Sequence, residues 1–242
     1  MRKNQDPTLD RYLNGDYAKK NPGWDSADAG WKAGKLHQLL LDYECQPLSI
    51  VEIGCGSGAT LAKLRRLFPQ ASLAGFDIAP EAARFWEEAT ALGIRFELGD
   101  FLELDEPIPD LILIFDVLEH LGNPWEFLAR LRHRSKLVAF HFPLDLSAAS
   151  ILRETPLLHV REKVGHLHYF TRGLALSLLE ESGFEIIEAR YTRAALDAPQ
   201  RSYKTRFAGL VRRLAYAVDH DLGVRLLGGD TLMVLARPGG IN

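Results

Sequence analysis

Two cysteines in 242 residues, Cys45 and Cys55, are too few for a disulfide framework, and no CxxC pair or Cys/His quartet exists to hold structural zinc. A reducing, cytoplasmic environment is therefore expected. No apolar run approaches the roughly 18 residues that a membrane span needs, and the opening MRKNQDPTLDRYLNGDY lacks the apolar stretch of a signal peptide. An excess of one charge is also missing. The 29 Lys and Arg stand against 32 Asp and Glu, a net −3 that gives no global attraction to nucleic acid or an anionic membrane. With 47% hydrophobic and 25% charged residues, collagen-like, disordered and disulfide-dense classes are excluded. No repeat, low-complexity tract or flexible linker divides the chain, so a single elaborated domain over 1–242 is expected.

What is present is an alternation. Short apolar runs, LSIVEI (48–53), SLAGFD (72–77), IRFEL (94–98), DLILIF (110–115) and KLVAFHF (136–142), are separated by amphipathic stretches. Leu111 to Phe115 is apolar without a polar alternate, as expected of a strand buried on both faces of a parallel sheet. Between the strands, Leu61, Leu64 and Phe68 recur at helical spacing, Pro80 suits a first helical turn with Gly93 closing the far end, and Asn123 with Pro124 reads as N-cap and first helical residue. After Pro143 the rhythm breaks, and residues 144–168 are expected to cover the active edge of the sheet. It returns with a helix from Thr171 closed by Gly183, then strands FEIIEARY (184–191) and TLMVLA (231–236). The insertion 192–229 carries seven Arg and Lys against three Asp, which makes it +4 and leaves −7 for the rest.

The most informative stretch is VEIGCGSGATLAKL, where Glu52 and three alternate glycines, Gly54, Gly56 and Gly58, lie between a strand and a helix. Glycines there permit positive φ and let the main chain approach a ligand without a Cβ. The ligand belongs at the carboxyl end of the strand. Asp77 closes the second strand about 20 residues on, placed to accept hydrogen bonds from ribose hydroxyls, and Ala59 lets the pattern pass as a dinucleotide fingerprint as well. The exit of the third strand, ELGDFLEL, puts Asp100 and Phe101 where an adenine could receive a hydrogen bond and an apolar wall. Glu97 to Glu119 holds eight acids and no Arg or Lys, a segment better matched to a cationic cofactor than to a diphosphate.

This arrangement resembles the class I S-adenosylmethionine-dependent methyltransferases, over Leu48 to about Arg190, carried by VEIGCGSG, Asp77, Asp100 with Phe101, IFDVLEHL (114–121) and GHLHYFTRGLALSLLEESGFEII. The resemblance implies a Rossmann-like, doubly wound α/β fold with a mostly parallel seven-stranded sheet and helices on both faces. It implies an S-adenosyl-L-methionine site of Glu52, Gly54, Gly56, Gly58, Asp77, Ile78, Asp100, Phe101 and Asp116. It also divides the chain into an N-terminal helical lid (1–45), a cofactor-binding core (46–191), a basic helical insertion (192–229), and a last strand with tail (230–242).

Methyl transfer is an in-line displacement on a carbon already activated by its sulfonium, so alignment and exclusion of water supply most of the rate. A hydroxyl acceptor adds the need for a base. His120, His141, His166 and His168 are the candidates; His141, at the end of strand five, ranks first, with His120 beside it, and one of His166 and His168 is expected only to order its loop. Asp116, Glu119 and His120 form a DxxEH arrangement that with one further His could ligate a divalent cation. A similar ExxEH occurs in metal-dependent RNA 2′-O-methyltransferases, but DVLEHL is also common in members that use no metal, and no metal is expected. Tyr12, Tyr17, Trp24 and Trp31 offer aromatic surface for a lid, with Trp31 expected in the core. In the insertion, Phe207, Leu210, Val211, Leu214 and Val218 follow helical spacing opposite Arg206, Arg212 and Arg213, a face expected to cover the core or a dimer contact. The expected function is methyl transfer to a small-molecule acceptor, on oxygen, since the NPPY-type motif of amide- and base-methylating relatives is absent. Nucleic acid is not an expected partner; a homodimer is. A metal-dependent RNA 2′-O-methyltransferase, an NAD-dependent oxidoreductase and a non-catalytic binding module are the rival readings.

Overall fold

In the computed structural model of the chain, residues 8–24, 26–198 and 203–240 are described, without the side chains of 203–208. Arg201, Lys204, Arg206 and Phe207 of the insertion therefore lie outside the described side chains. Seven strands, β1 (Ser49–Ile53), β2 (Ser72–Asp77), β3 (Arg95–Leu98), β4 (Leu111–Phe115), β5 (Leu137–Pro143), β6 (Phe184–Tyr191) and β7 (Thr231–Pro238), form one sheet in the order β3-β2-β1-β4-β5-β7-β6. Pairings from β3 through β5 are parallel, and β7 runs antiparallel to both of its neighbours. This is the doubly wound, mostly parallel sheet expected from the alternation. The strand limits agree with the apolar runs to within a residue or two.

The period of two along each strand explains the two cores. In β4, Ile112 and Ile114 point to one face, where they join Val51, Phe76, Phe140 and Leu128; Leu111, Leu113 and Phe115 point to the other and join Ile50, Leu36, Leu61 and Leu64. Every β4 side chain is buried, so the strand has no polar alternate because neither face meets water. Truncating Leu113 to Ala would cost about 2–5 kcal/mol. The helix Ala29–Asp42 supplies Ala33, Leu36 and Leu40 to the second core, and Trp31 is half-buried beside it.

Two stretches lie outside the alternation. Residues 144–168, without a clear period, fold as two short helices, Ala148–Arg153 and Thr155–Lys163; the first is set by a reciprocal capping box between Ser147 and Ser150. In the insertion, the helix Tyr203–Val218 turns Tyr216 and Arg212 inward, where both donate to the Gly228 carbonyl. Leu210, Val211, Leu214 and Val218 are therefore exposed and do not cover the core. Among the described residues no helix is long and apolar enough to cross a membrane.

Candidate active site

In an open α/β sheet, the crevice for a ligand forms where neighbouring connections leave in opposite directions, here above the carboxyl ends of β1 and β4. A cavity of about 160 Å³ lies there. Its floor is the turn after β1. Gly54, Gly56 and Gly58 have φ of 73°, 51° and 74°, backbone that L side chains adopt only at a cost. They serve different ends. A Cβ at Gly54 would meet Val117 at 2.6 Å, one at Gly58 the Phe96 ring at 2.6 Å, and one at Gly56 the Trp24 ring at 3.2 Å. Gly54 and Gly56 thus hold open the cavity wall, while Gly58, which does not line it, lets the helix Ala59–Leu67 approach β3.

Asp77 closes β2 and is almost fully buried. It accepts from the backbone N–H of Gly56 (2.7 Å) and of Ala79 (2.8 Å), which stitches the first two strand ends together. Burial still raises its pKa above the usual carboxylate range. Glu52 is buried below the turn, and burial pushes its carboxyl up to about 8 against the opposing pull of Lys32 and a hydrogen bond from Thr60. One of its oxygens has no partner among the described residues. Ile78 lines the same wall.

Asp116, the first residue after β4, sits at φ 53°. One oxygen lies 2.6 Å from Lys32 Nζ and the other 2.6 Å from His141 Nδ1. Burial alone would raise its pKa, but His141 and Lys32 outweigh it and hold the carboxylate ionised far below the ordinary range. His141 Nε2 in turn lies 2.8 Å from the Thr231 hydroxyl, which pairs with the hydroxyl of Thr192. A polar chain therefore runs from the cavity wall through β5 to β7. His141 is 3% exposed with both ring nitrogens engaged, and it does not line the cavity. It is set back from the cavity, because β5 places its side chain between Asp116 and Thr231 rather than at the rim.

Asp100 and Phe101 also depart from expectation. Phe101 is fully buried, packed at 5.0 Å against Phe76 with the Arg134 guanidinium over its ring. Asp100 turns back to cap the 3-10 turn Phe101–Glu103, accepting from Leu102 N–H, and faces Arg130 at 3.7 Å. Neither lines the cavity. His120 does, and burial together with the neighbouring His166 ring lowers its pKa to about 3, so it is neutral. Of the DxxEH residues, Asp116 stands apart, taken by Lys32 and His141, while buried Glu119 lies 4.0 Å from His120 Nε2. His168 is bonded through Nε2 to the Leu121 carbonyl and orders the segment before the helix Arg172–Glu181.

The outer wall comes from the amino-terminal segment. Tyr12, Tyr17 and Trp24 form a continuous aromatic row, with ring centroids 5.1 Å apart for each adjacent pair, and the Tyr12 edge faces His120 at 5.9 Å. Lys32 is the functional residue the sequence reading passed over. Its signal was available: it falls in the helical phase of Ala29, Ala33, Leu36 and Leu40, where a lysine must meet a buried partner.

Comparison with known proteins matches residues 28–189 to a family model described as a methyltransferase domain. A trans-aconitate 2-methyltransferase of Methylobacterium nodulans is 34% identical over 90 residues, covering 35% of this chain and 33% of that protein. The match thus spans about a third of the length of that relative. Among solved structures, the plantazolicin methyltransferase BpumL, complexed with a monoazolic desmethyl analogue and S-adenosylhomocysteine, superposes with a TM-score of 0.63 at 17% identity, over 96% of this chain and 94% of its own. The N-methyltransferase NodS of Bradyrhizobium japonicum WM9, complexed with S-adenosylhomocysteine, gives a TM-score of 0.52 at 16% identity over 85% and 87% of the two chains.

Proposed function

The chain belongs to the methyltransferase domain family and is an S-adenosylmethionine-dependent enzyme of class I fold; from this premise we propose that it methylates a carboxylate oxygen of a small organic acid. A nicotinamide-dependent oxidoreductase and a non-catalytic module are thereby set aside.

The cavity residues fit the cofactor. The turn at Gly54 and Gly56 is a cradle that a Cβ would fill, Asp77 keeps lone pairs beyond its two backbone bonds for ribose hydroxyls, and Ile78 offers an apolar edge. Glu52 and Asp116 supply negative charge for a cationic sulfonium and its amino group, and a cation beside Glu52 would draw off the proton that burial makes it hold. Gly58 acts from behind, by helix packing, and Phe101 by supporting Phe76. When bound, the sulfonium supplies an electrophilic methyl group; the chain's task is to align an acceptor with it and exclude water. Tyr12, Tyr17 and Trp24 close the outer wall for that purpose.

The observation that carries the acceptor reading is that, among the described residues, neither candidate histidine is a strong, reachable base. His141 is buried with both nitrogens occupied, and His120 lines the cavity but is held near 3, too weak to take a proton from an alcohol or phenol efficiently. A carboxylate is ionised at neutral pH and needs no base. The likeness to a trans-aconitate 2-methyltransferase supports the same substrate class. An assay of the chain with labelled S-adenosylmethionine against small di- and tricarboxylic acids, phenols and amines tests it. Base-labile methyl esters formed from the acids are expected; turnover confined to amines or phenols would overturn the assignment.

A further inference from the structure

Behind the wall that His120 presents to the cavity lies a cluster that methyl transfer does not use. Glu119 and His120 come from the short turn after β4, and His166 from the extended segment after the helix Thr155–Lys163. The two segments are clamped by backbone bonds from Leu167 N–H (2.7 Å) and His168 N–H (3.1 Å) to the Glu119 carbonyl. One potential ligand atom from each of the three side chains lies within 4.8 Å of the others.

Three features suit the cluster to holding a cation. Glu119 is fully buried, yet neither of its carboxyl oxygens has a hydrogen-bond partner among the described residues, an arrangement that costs free energy unless something compensates it. His120 Nδ1 is likewise buried without a partner among the described residues, while the ring is steadied by a hydrogen bond with the Gly165 backbone. His166 Nδ1 lies 2.6 Å from Asp145 Oδ2, which leaves Nε2 as the free nitrogen. Metal-binding imidazoles are characteristically oriented in this way, by a carboxylate on the far nitrogen.

We propose that Glu119, His120 and His166 bind one divalent transition-metal ion, with Asp145 orienting His166. Two imidazoles and one carboxylate suit zinc, cobalt, manganese or iron(II) better than calcium or magnesium, which prefer all-oxygen sites. Ligands about 2.0–2.2 Å from a tetrahedral ion stand roughly 3.4 Å apart, so the cluster needs to contract by about 1 Å. Asp116 is not a ligand, because Lys32 and His141 hold both its oxygens. Arg11 is turned to the carbonyls of Arg161 and Glu162. The aromatic edges of Tyr12 and Tyr17 stand 5.9 and 6.4 Å from the His120 ring and bound the cluster on the cavity side. An ion here would bring positive charge beside His120, on the wall of a cavity also lined by Glu52, Asp77 and Asp116, and so favour an anionic acceptor. That role rests on the proposed function, whereas the binding itself rests on geometry alone.

The test is metal content and calorimetric titration of the whole chain, stripped with chelator and then given zinc or cobalt. One ion per chain is expected, at micromolar affinity or tighter. Glu119→Gln and His166→Asn, close in shape to the originals, should each weaken binding at least 100-fold, and Asp145→Asn about 10- to 100-fold. His168→Asn, outside the cluster, should leave it unchanged. Circular dichroism of each variant separates loss of a ligand from loss of fold. Absence of binding by the wild type, or equal binding by folded Glu119→Gln and His166→Asn, would overturn the proposal. Stoichiometric binding by a chain that methylates no carboxylic acid would leave the metal site standing and remove the acceptor reading.

Discussion

Lys32 and Asp116, 84 residues apart in the chain, meet with Nζ 2.6 Å from Oδ2 at the cavity wall. The lysine comes from the helix Ala29–Asp42 on one face of the sheet, and the aspartate from the end of β4. Asp116 is locked from its other side by His141. The contact therefore ties the amino-terminal helix to the strand end that borders the methyl-transfer space, and it sets the direction of a carboxylate whose backbone sits at φ 53°.

Lys32→Met would leave a part-buried carboxylate with one hydrogen-bonding side chain, that of His141, instead of two. Charge-assisted hydrogen bonds of this kind contribute about 1.5–3 kcal/mol, and a loss of stability in that range is expected from urea unfolding at neutral pH. Asp116→Asn should cost less in the Lys32→Met background than alone. A cycle in which the two losses simply add would show that the pair is not coupled.

His141 lies behind Asp116, bonded to its carboxylate and off the cavity wall, which is the place of a positioning residue. His141→Asn should lower kcat by no more than about tenfold, leave the acceptor KM nearly unchanged and leave the pH dependence of kcat in place. A general base, by contrast, is worth about 10²- to 10⁴-fold. A loss in that larger range, with disappearance of the basic limb of the pH profile, would return His141 to the reacting atoms.

The strands were legible because a parallel sheet covered on both faces leaves an unbroken apolar run, as in Leu111–Phe115, and because glycines with positive φ mark the turn after β1. The rim residues were less so. A GDF turn can direct Phe101 outward to a ligand or inward to the core, and only packing against Phe76 and Arg134 decides it. His141 at a strand end reads as exposed until β7, contributed from 90 residues later, places Thr231 beside it. Lys32 was missed because its partner is remote in sequence. The convergence of His166 on Glu119 was hidden for the same reason.

Stability should fall as the solution becomes more alkaline, through Glu119 and Glu52. Burial raises both carboxyls, Glu119 well above its ordinary value and Glu52 to about 8, so the folded chain holds protons that the unfolded chain releases near pH 4.5. The stabilisation is complete below that pH and is lost progressively up to the folded-state values. His120, lowered to about 3, has the opposite sign: it destabilises the fold as the solution is acidified from about pH 6.5 toward 3. Each group contributes a slope of at most about 1.4 kcal/mol per pH unit. In metal-free protein, Glu119→Gln should flatten the decline between pH 5 and 7.5, measured by urea midpoints at the two values. A variant whose midpoints decline as steeply as the wild type's would show that Glu119 is ionised in the fold.

Gly54 and Gly93 separate backbone strain from steric exclusion. Their φ values are 73° and 75°, so alanine at either position suffers about the same penalty of roughly 1–2 kcal/mol for left-handed backbone. Their surroundings differ: a Cβ at Gly93 meets nothing within 4 Å, whereas one at Gly54 falls 2.6 Å from Val117 Cγ2. Val117 follows Asp116 and lines the cavity, so relieving the clash must move the wall itself. Gly93→Ala should therefore lower the melting temperature modestly and leave S-adenosylhomocysteine affinity intact. Gly54→Ala should lower both, with affinity reduced at least tenfold by calorimetry. The double variant Gly54→Ala with Val117→Ala removes the clashing methyl group and should regain most of the lost affinity while keeping the strain in the melting temperature. Failure of that rescue would mean that the Gly54 turn matters for its backbone angles rather than for the space it leaves.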